Sequence, residues 1–275
     1  MKKALSFCLV ALISGFSNAA EYIPNTKLLE KDGNEVRWGQ SKNNDDSCLP
    51  SYNYLCPRYN PDDQCGHMLA GCGAIAMAQI MWKWSYPDES KYNVYDWDKM
   101  PSDLIDGCST DCPKLISDCG KACKMNYQSI GGFELPVITG SWATISNIAK
   151  GFADFDYSAR IVDSDDWKKY GTAWADLIRS EIDCGRPVLM YGKHNIIEIS
   201  EKHYFVIDGY SMTDKNLFHV NWGWRGNKNG YYDLEKCGYS NGQKIIIGIA
   251  PKYSGKAAYP KITVKKENDI ITRNC

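Results

Sequence analysis

Ala70-Gly71-Cys72-Gly73-Ala74-Ile75-Ala76-Met77-Ala78-Gln79-Ile80-Met81-Trp82-Lys83-Trp84 is the stretch on which the fold turns. Small residues lead into one cysteine, and about three helical turns of Ala, Ile and Met follow it. The first N–H groups of such a helix have no partner inside it, and its dipole is positive at that end. Both effects favour a thiolate, so the position predicts a lowered thiol pKa and a reactive Cys72. The same residue also reads as one more buried or disulfide-bonded cysteine in a chain that has 12. The rest of the chain has to decide.

A length of 275 residues suits one large domain or two tightly packed lobes. The net charge is −1, so no basic field calls for nucleic acid and no strong charge calls for a membrane surface. Met1-Lys2-Lys3, the apolar run 4–16 and Ser17-Asn18-Ala19 form the three regions of a secretory signal peptide cleaved after Ala19. The apolar run is too short to span a bilayer, and no other span follows. Removing Cys8 with this leader leaves an odd number of cysteines, hence one thiol that is free or intermolecular. Cys72 and the terminal Cys275 both qualify.

Residues 38–65 form a long polar loop, which predicts disulfides among Cys48, Cys56 and Cys65 to pin it. The Cys72 helix stops before Pro87. Cys108 and Cys112 are four apart, as are Cys119 and Cys123. Disulfides are expected over a zinc site in an exported chain with no histidine close by. Helices are expected over 114–124, 140–152 and 172–184. After Pro187 the pattern changes to short strands at 188–191, 203–210, 217–222, 230–234 and 244–250, separated by Gly and Asn turns. Helices first and antiparallel strands afterwards describe an α+β protein with two lobes.

A thiol nucleophile needs a base, a group that orients the base, and donors for an oxyanion. Of the four histidines, His67 falls in the loop, His194 in a polar connection and His219 inside a strand, where a packed role is expected. His203 opens a strand after charged residues, so its ring can face a cleft. Asn221 ends a neighbouring antiparallel strand. Its side-chain amide is expected to hold the imidazole, with Trp222 and Trp224 shielding that bond.

At this point four blocks together resemble the streptopain-like cysteine peptidases of bacteria. They are Trp38-Gly39-Gln40 with Tyr52-Asn53; His67 and Ala70-Gly71-Cys72 through Met81, closed by Tyr86-Pro87; Lys202-His203-Tyr204-Phe205-Val206-Ile207-Asp208-Gly209; and His219-Val220-Asn221-Trp222-Gly223-Trp224. The resemblance covers roughly residues 28–252. It implies a papain-like fold, with a helical lobe over 20–135 and an antiparallel β-sheet lobe over 136–252, followed by a short tail at 253–275. It further implies Cys72 as nucleophile and His203 as general base and later acid. Gln40 would be an oxyanion donor beside the Cys72 N–H, with Asn221 and Trp222 orienting and shielding His203.

The implied activity is hydrolysis of peptide bonds in proteins by a secreted enzyme, without cofactor or metal. Members of the family commonly carry a long inhibitory prosegment, whereas here a short stretch separates Ala19 from Trp38. Either synthesis without a conventional zymogen stage, or inhibition by a separate protein or by a loop, is expected instead. Lys202 and Tyr204 stand where the family usually has Gly and Ala. That substitution motivates an alternative, a catalytically silent peptide-binding protein on the same scaffold. A cell-wall amidase is a third reading, against which the Asn221-Trp222-Gly223-Trp224 block and Gln40 both speak.

Overall fold

The computed structural model describes residues 27–40, 51–58, 66–104, 109–127, 141–167, 173–196 and 199–252. The expected signal peptide, the tail after 252, and Cys48, Cys65, Cys108 and Cys275 lie outside them. A small hairpin comes first, β1 (Glu30–Lys31) and β2 (Asn34–Glu35). Three helices follow: α1 (Cys72–Trp84), α2 (Asp111–Ala122) and α3 (Ile145–Asp154). Next are β3 (Tyr157–Asp163), the single turn α4 (Ser164–Trp167) and α5 (Ala173–Asp183). Five strands complete the chain: β4 (Val188–Ile196), β5 (Ile199–Tyr210), β6 (Leu217–Asn221), β7 (Gly230–Asp233) and β8 (Asn241–Pro251).

β3 to β8 form one six-stranded sheet in the order β3-β8-β4-β5-β6-β7, every neighbouring pair antiparallel. Side chains alternate across a strand, so β4 and β5 feed two separate cores. Leu189, Tyr204 and Val206 pack with Ile246 against the buried residues of α1, α2 and α3. Val188, Met190, Phe205 and Ile207 pack on the other face with Trp174, Leu177 and Ile178 of α5. This is the papain-like α+β architecture. α3, although it falls after residue 135, belongs to the same core as α1 and α2.

α1 is apolar on all sides, as a helix enclosed by protein must be, and residues 73–82 are all buried. Gly73 lets the sheet and α3 approach: a Cβ there would lie 2.7 Å from Ile148 Cδ1 and 3.6 Å from the Tyr204 ring. Thr144 caps α3 by accepting from the Asn147 N–H at 3.1 Å. At the end of α5, Glu181 and Arg186 form a buried ion pair at 2.8 Å, and Glu181 also accepts from the Gly248 N–H of β8 at 2.9 Å. Among the described residues, no helix is long and apolar enough to cross a membrane.

The cysteines depart from expectation. Cys56, Cys112, Cys119 and Cys123 are free and buried, and Cys72 is free as well. Cys72 is therefore not singled out as the one unpaired thiol. Cys119 and Cys123 do share a face of α2, but helical positions four apart hold their Cβ atoms about 5–6 Å apart. A disulfide needs roughly 3.5–4.5 Å. Cys119 Sγ instead contacts Met81 Sδ at 3.6 Å, and Cys123 Sγ meets the Gly120 carbonyl at 3.5 Å. Both act as small apolar core residues.

Candidate active site

Cys72 is the first residue of α1. Gly71 before it has φ 89°, a conformation that an L side chain adopts only under strain, and a Cβ there would sit 2.7 Å from Met125 Sδ. The Ala70 N–H is held at 2.9 Å by Asn53 Oδ1. Main-chain N–H groups of Tyr204, Gly73 and Cys72 itself lie near the Cys72 sulfur and favour its thiolate. Even so, burial pushes the thiol up, and the N–H groups only partly offset it. The lowered thiol pKa expected from the helix start is thus overturned. The sulfur is more desolvated than its donors can repay in this closed conformation.

His203 comes from β5 and is 4% exposed. Its Nε2 lies 2.8 Å from the Trp222 carbonyl oxygen. A carbonyl only accepts, so Nε2 carries the proton and Nδ1 keeps its lone pair. Aromatic rings enclose the imidazole. Trp224 is centred 4.9 Å away, Tyr239 5.1 Å, and Trp222 stacks at 6.2 Å and 24°. Tyr239 reaches that place because the residue opposite His203 in the ladder is Gly192, where a Cβ would run into the Tyr239 carbonyl. The Tyr239 hydroxyl donates to Glu201 Oε1 at 2.9 Å. Burial pushes His203 down to about 4, against the opposing pull of the Trp222 carbonyl and the Glu201 charge.

Cys72 and His203 meet through the main chain: one N–H near the sulfur belongs to Tyr204, the next residue after His203. No hydrogen bond joins thiol and imidazole directly among the described contacts. Catalytic hydrogen bonds of this kind are often loose until substrate is bound. Gln40 stands at the same edge. Gly39 bridges Trp224, and the Gln40 carbonyl accepts from Asn53 Nδ2 at 2.9 Å. Gln40 Oε1 is buried with no protein partner. Asn53 therefore ties the Gln40 segment to the turn before Cys72.

Asn221 corrects the expectation placed on it. Its amide does not touch His203. Nδ2 donates to the Val36 carbonyl at 2.8 Å, and Oδ1 accepts from the Gly223 N–H at 3.0 Å. The carbonyl of the next residue, Trp222, takes the imidazole instead. Side chains alternate across β6, so that of Asn221 points away from the face on which His203 lies.

His67 donates through Nδ1 to the Cys56 carbonyl at 2.7 Å, and His219 is buried against Asp208 at 2.6 Å, so both are packed into the fold. Tyr204 faces inward. Its hydroxyl donates to the Ala143 carbonyl at 3.0 Å and its ring lies beside Gly73, while Lys202 is exposed. Sequence reasoning did not single out Tyr239, Glu201 or Asn229. Asn229-Gly230 carries only the signature of a turn.

A half-buried cysteine at a helix start, an imidazole of fixed tautomer on a strand beside it and a glutamine whose buried Oε1 has no partner give this helix-and-sheet scaffold the groups of a papain-like thiol site. Comparison with known proteins agrees. The model of the peptidase C10 family matches residues 46–232, and the chain belongs to that family. The thiol protease/hemagglutinin PrtT of Porphyromonas gingivalis is 28% identical over 217 residues, covering 66% of this chain and 23% of that protein. Streptopain of Streptococcus pyogenes is 24% identical over 249 residues, covering 73% of this chain and 58% of its own length. The chain thus spans less than two thirds of either relative. Among solved structures, the interpain A cysteine protease of Prevotella intermedia has a TM-score of 0.62 at 24% identity, covering 81% of this chain and 93% of that one. A prointerpain A fragment has a TM-score of 0.59.

Proposed function

We propose that this chain is an exported cysteine endopeptidase that hydrolyses peptide bonds in proteins. The observation that carries the reading is the His203 tautomer. With Nε2–H fixed on the Trp222 carbonyl, the free lone pair is on Nδ1, in the residue whose neighbour's N–H lies near the Cys72 sulfur. In the proposed reaction Nδ1 takes the thiol proton as Cys72 attacks the substrate carbonyl carbon. The oxyanion so formed is met by the Cys72 N–H and the Gln40 amide. Collapse breaks the C–N bond and leaves a thioester on Cys72, while the proton on Nδ1 passes to the departing amine. Water, deprotonated by His203, then releases the acid and restores the thiol.

Burial favours the neutral thiol and the neutral imidazole, so the proton passes from Cys72 to His203 as attack begins. Trp222 and Trp224 keep water from the imidazole, and Asn221 acts one step removed, by holding the turn that carries the Trp222 carbonyl. Export through the leader 1–19 is supported by its three-part composition and by a disulfide-bonded Cys184. Control by a separate inhibitor protein remains part of the proposal.

The test uses a denatured protein substrate and a thiol-directed epoxide. Cys72→Ala is expected to abolish both turnover and alkylation of the native protein, and turnover by that variant would sink the reading. A native protein that binds peptides, turns none over and shows no selective alkylation would be the silent binder instead. The inward packing of Tyr204 removes the main motive for that second reading.

A further inference from the structure

The carbonyl that orients His203 belongs to a residue outside the sheet ladder, because β6 ends at Asn221. The plane that carries this carbonyl is held on its far side by Asn221, which accepts from the Gly223 N–H, and Trp222 is held on its near side through its own N–H. Its N–H donates to Asn229 Oδ1 at 3.0 Å. Asn229 is itself fixed, since its Nδ2 donates to Glu35 Oε1 at 2.6 Å. A carboxylate only accepts, so the Asn229 amide must turn its NH2 toward Glu35 and its oxygen toward Trp222. Glu35 is held in turn by Lys27 at 2.8 Å on its other oxygen, and His219 Nε2 lies 3.8 Å from Oε1.

We infer that Asn229 is a positioning residue for the His203 base, and that Glu35 of the β1–β2 hairpin sets its orientation. The relay runs Glu35 carboxylate, Asn229 amide, Trp222 peptide, His203 Nε2. Its chemical effect is to keep the proton on Nε2 and the lone pair on Nδ1, where the thiol proton must go. An asparagine is required at this position. An aspartate offers no N–H to Glu35 and sets a second carboxylate against it. An alanine leaves Trp222 held by Asn221 alone, so its carbonyl shifts from His203 Nε2 and the imidazole loses its fixed tautomer. The inference rests on the peptidase reading for its consequence in rate, though not for its consequence in structure.

Two readouts on the full chain test it. The first is turnover of a peptide substrate, normalised to active sites titrated with a thiol-directed epoxide. Asn229→Ala should lower kcat per titrated site on the order of tenfold to a hundredfold with KM little changed, as misplacement of a catalytic group does. Its kcat/KM pH profile should shift on the acidic limb. Glu35→Gln still offers an oxygen to Asn229 Nδ2 and should stay close to wild type, whereas Glu35→Ala should fall toward Asn229→Ala. The second readout, independent of turnover, is the side-chain 15N spectrum of His203 in a Cys72→Ala background. It should show a single Nε2-protonated ring that becomes a tautomer mixture when Asn229→Ala is added.

An Asn229→Ala protein with wild-type kcat per site and an unchanged His203 spectrum would overturn the inference. So would one in which only the titrated fraction falls, because that marks a purely structural residue. A wild-type protein without turnover sinks the peptidase reading alone, and the spectrum still decides the relay.

Discussion

On the α1 side of the sheet, main chain places the reactive group. Three backbone N–H groups lie near the Cys72 sulfur, Gly71 makes the turn before it, and the neighbouring packing is small and apolar. On the α5 side, side chains do the placing. His203 is boxed by Trp222, Trp224 and Tyr239, and the Trp222 carbonyl it needs is pinned by Asn221 and Asn229. A backbone cradle tolerates most side-chain changes nearby, because N–H groups do not mutate. A side-chain cradle can be undone by one substitution at any member.

The polar anchors beneath the histidine side should show the largest stability effect. Arg186 and Glu181 are almost wholly buried. Arg186→Met leaves the Glu181 carboxylate unpaired in the interior, and is expected to lower unfolding free energy by about 3–5 kcal/mol. Adding Glu181→Gln should recover most of that loss. Denaturant unfolding of the three variants measures it, and a loss under 1 kcal/mol (about the worth of an exposed pair) would erase the contrast between the two sides.

A somewhat smaller effect comes from His203 itself. Burial holds the folded-state pKa near 4, against an unfolded value of about 6.5. Between those values the unfolded chain binds a proton that the folded chain refuses. Stability therefore rises with pH through that window and is lost as pH falls across it, by about 3 kcal/mol in all. His203→Gln should flatten this part of the stability profile. An unchanged slope in that variant would mean that the ring is not the buried, neutral group described.

The smallest effect sharpens the other side. Gly71→Ala forces an L residue to φ 89° and a methyl group against Met125. The expected cost is about 1–3 kcal/mol, with a loss of turnover out of proportion to it because the Cys72 N–H is displaced. Thermal melts alongside single-site turnover distinguish the two. Full activity would show that the main-chain cradle is less demanding than the side-chain one.

The same division governs what could be read from the sequence. α1, the later helices and five strands follow from local periodicity and from Gly and Pro punctuation, but β4 runs on to Ile196 and β5 starts at Ile199, because these two long strands pair through the polar stretch that breaks the alternation, and α3 starts five residues later than expected. His203 does not open its strand as expected: β5 begins at Ile199, so His203 lies inside a strand as His219 does, and what sets it apart is the aromatic box and the Trp222 carbonyl rather than its place in the strand. The partners of Asn221 and Asn229 are not legible in this way. Asn221 reaches Val36 and Asn229 reaches Glu35, each across most of the chain, and no local pattern marks such pairs. β3 was missed because Ser158, Ala159 and Arg160 blur its alternation. The cysteine spacing misled because it says nothing of where α2 points its sulfurs. The thiol pKa misled because burial is a property of the assembled core, while a helix start is visible in the sequence.

The β1–β2 hairpin has a consequence for the order in which the molecule comes into being. The α1 segment can coil early, since the hydrogen bonds inside a helix join residues four apart. The histidine cannot be oriented until Trp222 and Asn229 have been synthesised and carried back to Glu35, a separation of 194 residues. Closing so long a loop is slow compared with forming a helix. The helix that carries Cys72 can thus form well before the contacts that orient His203 close.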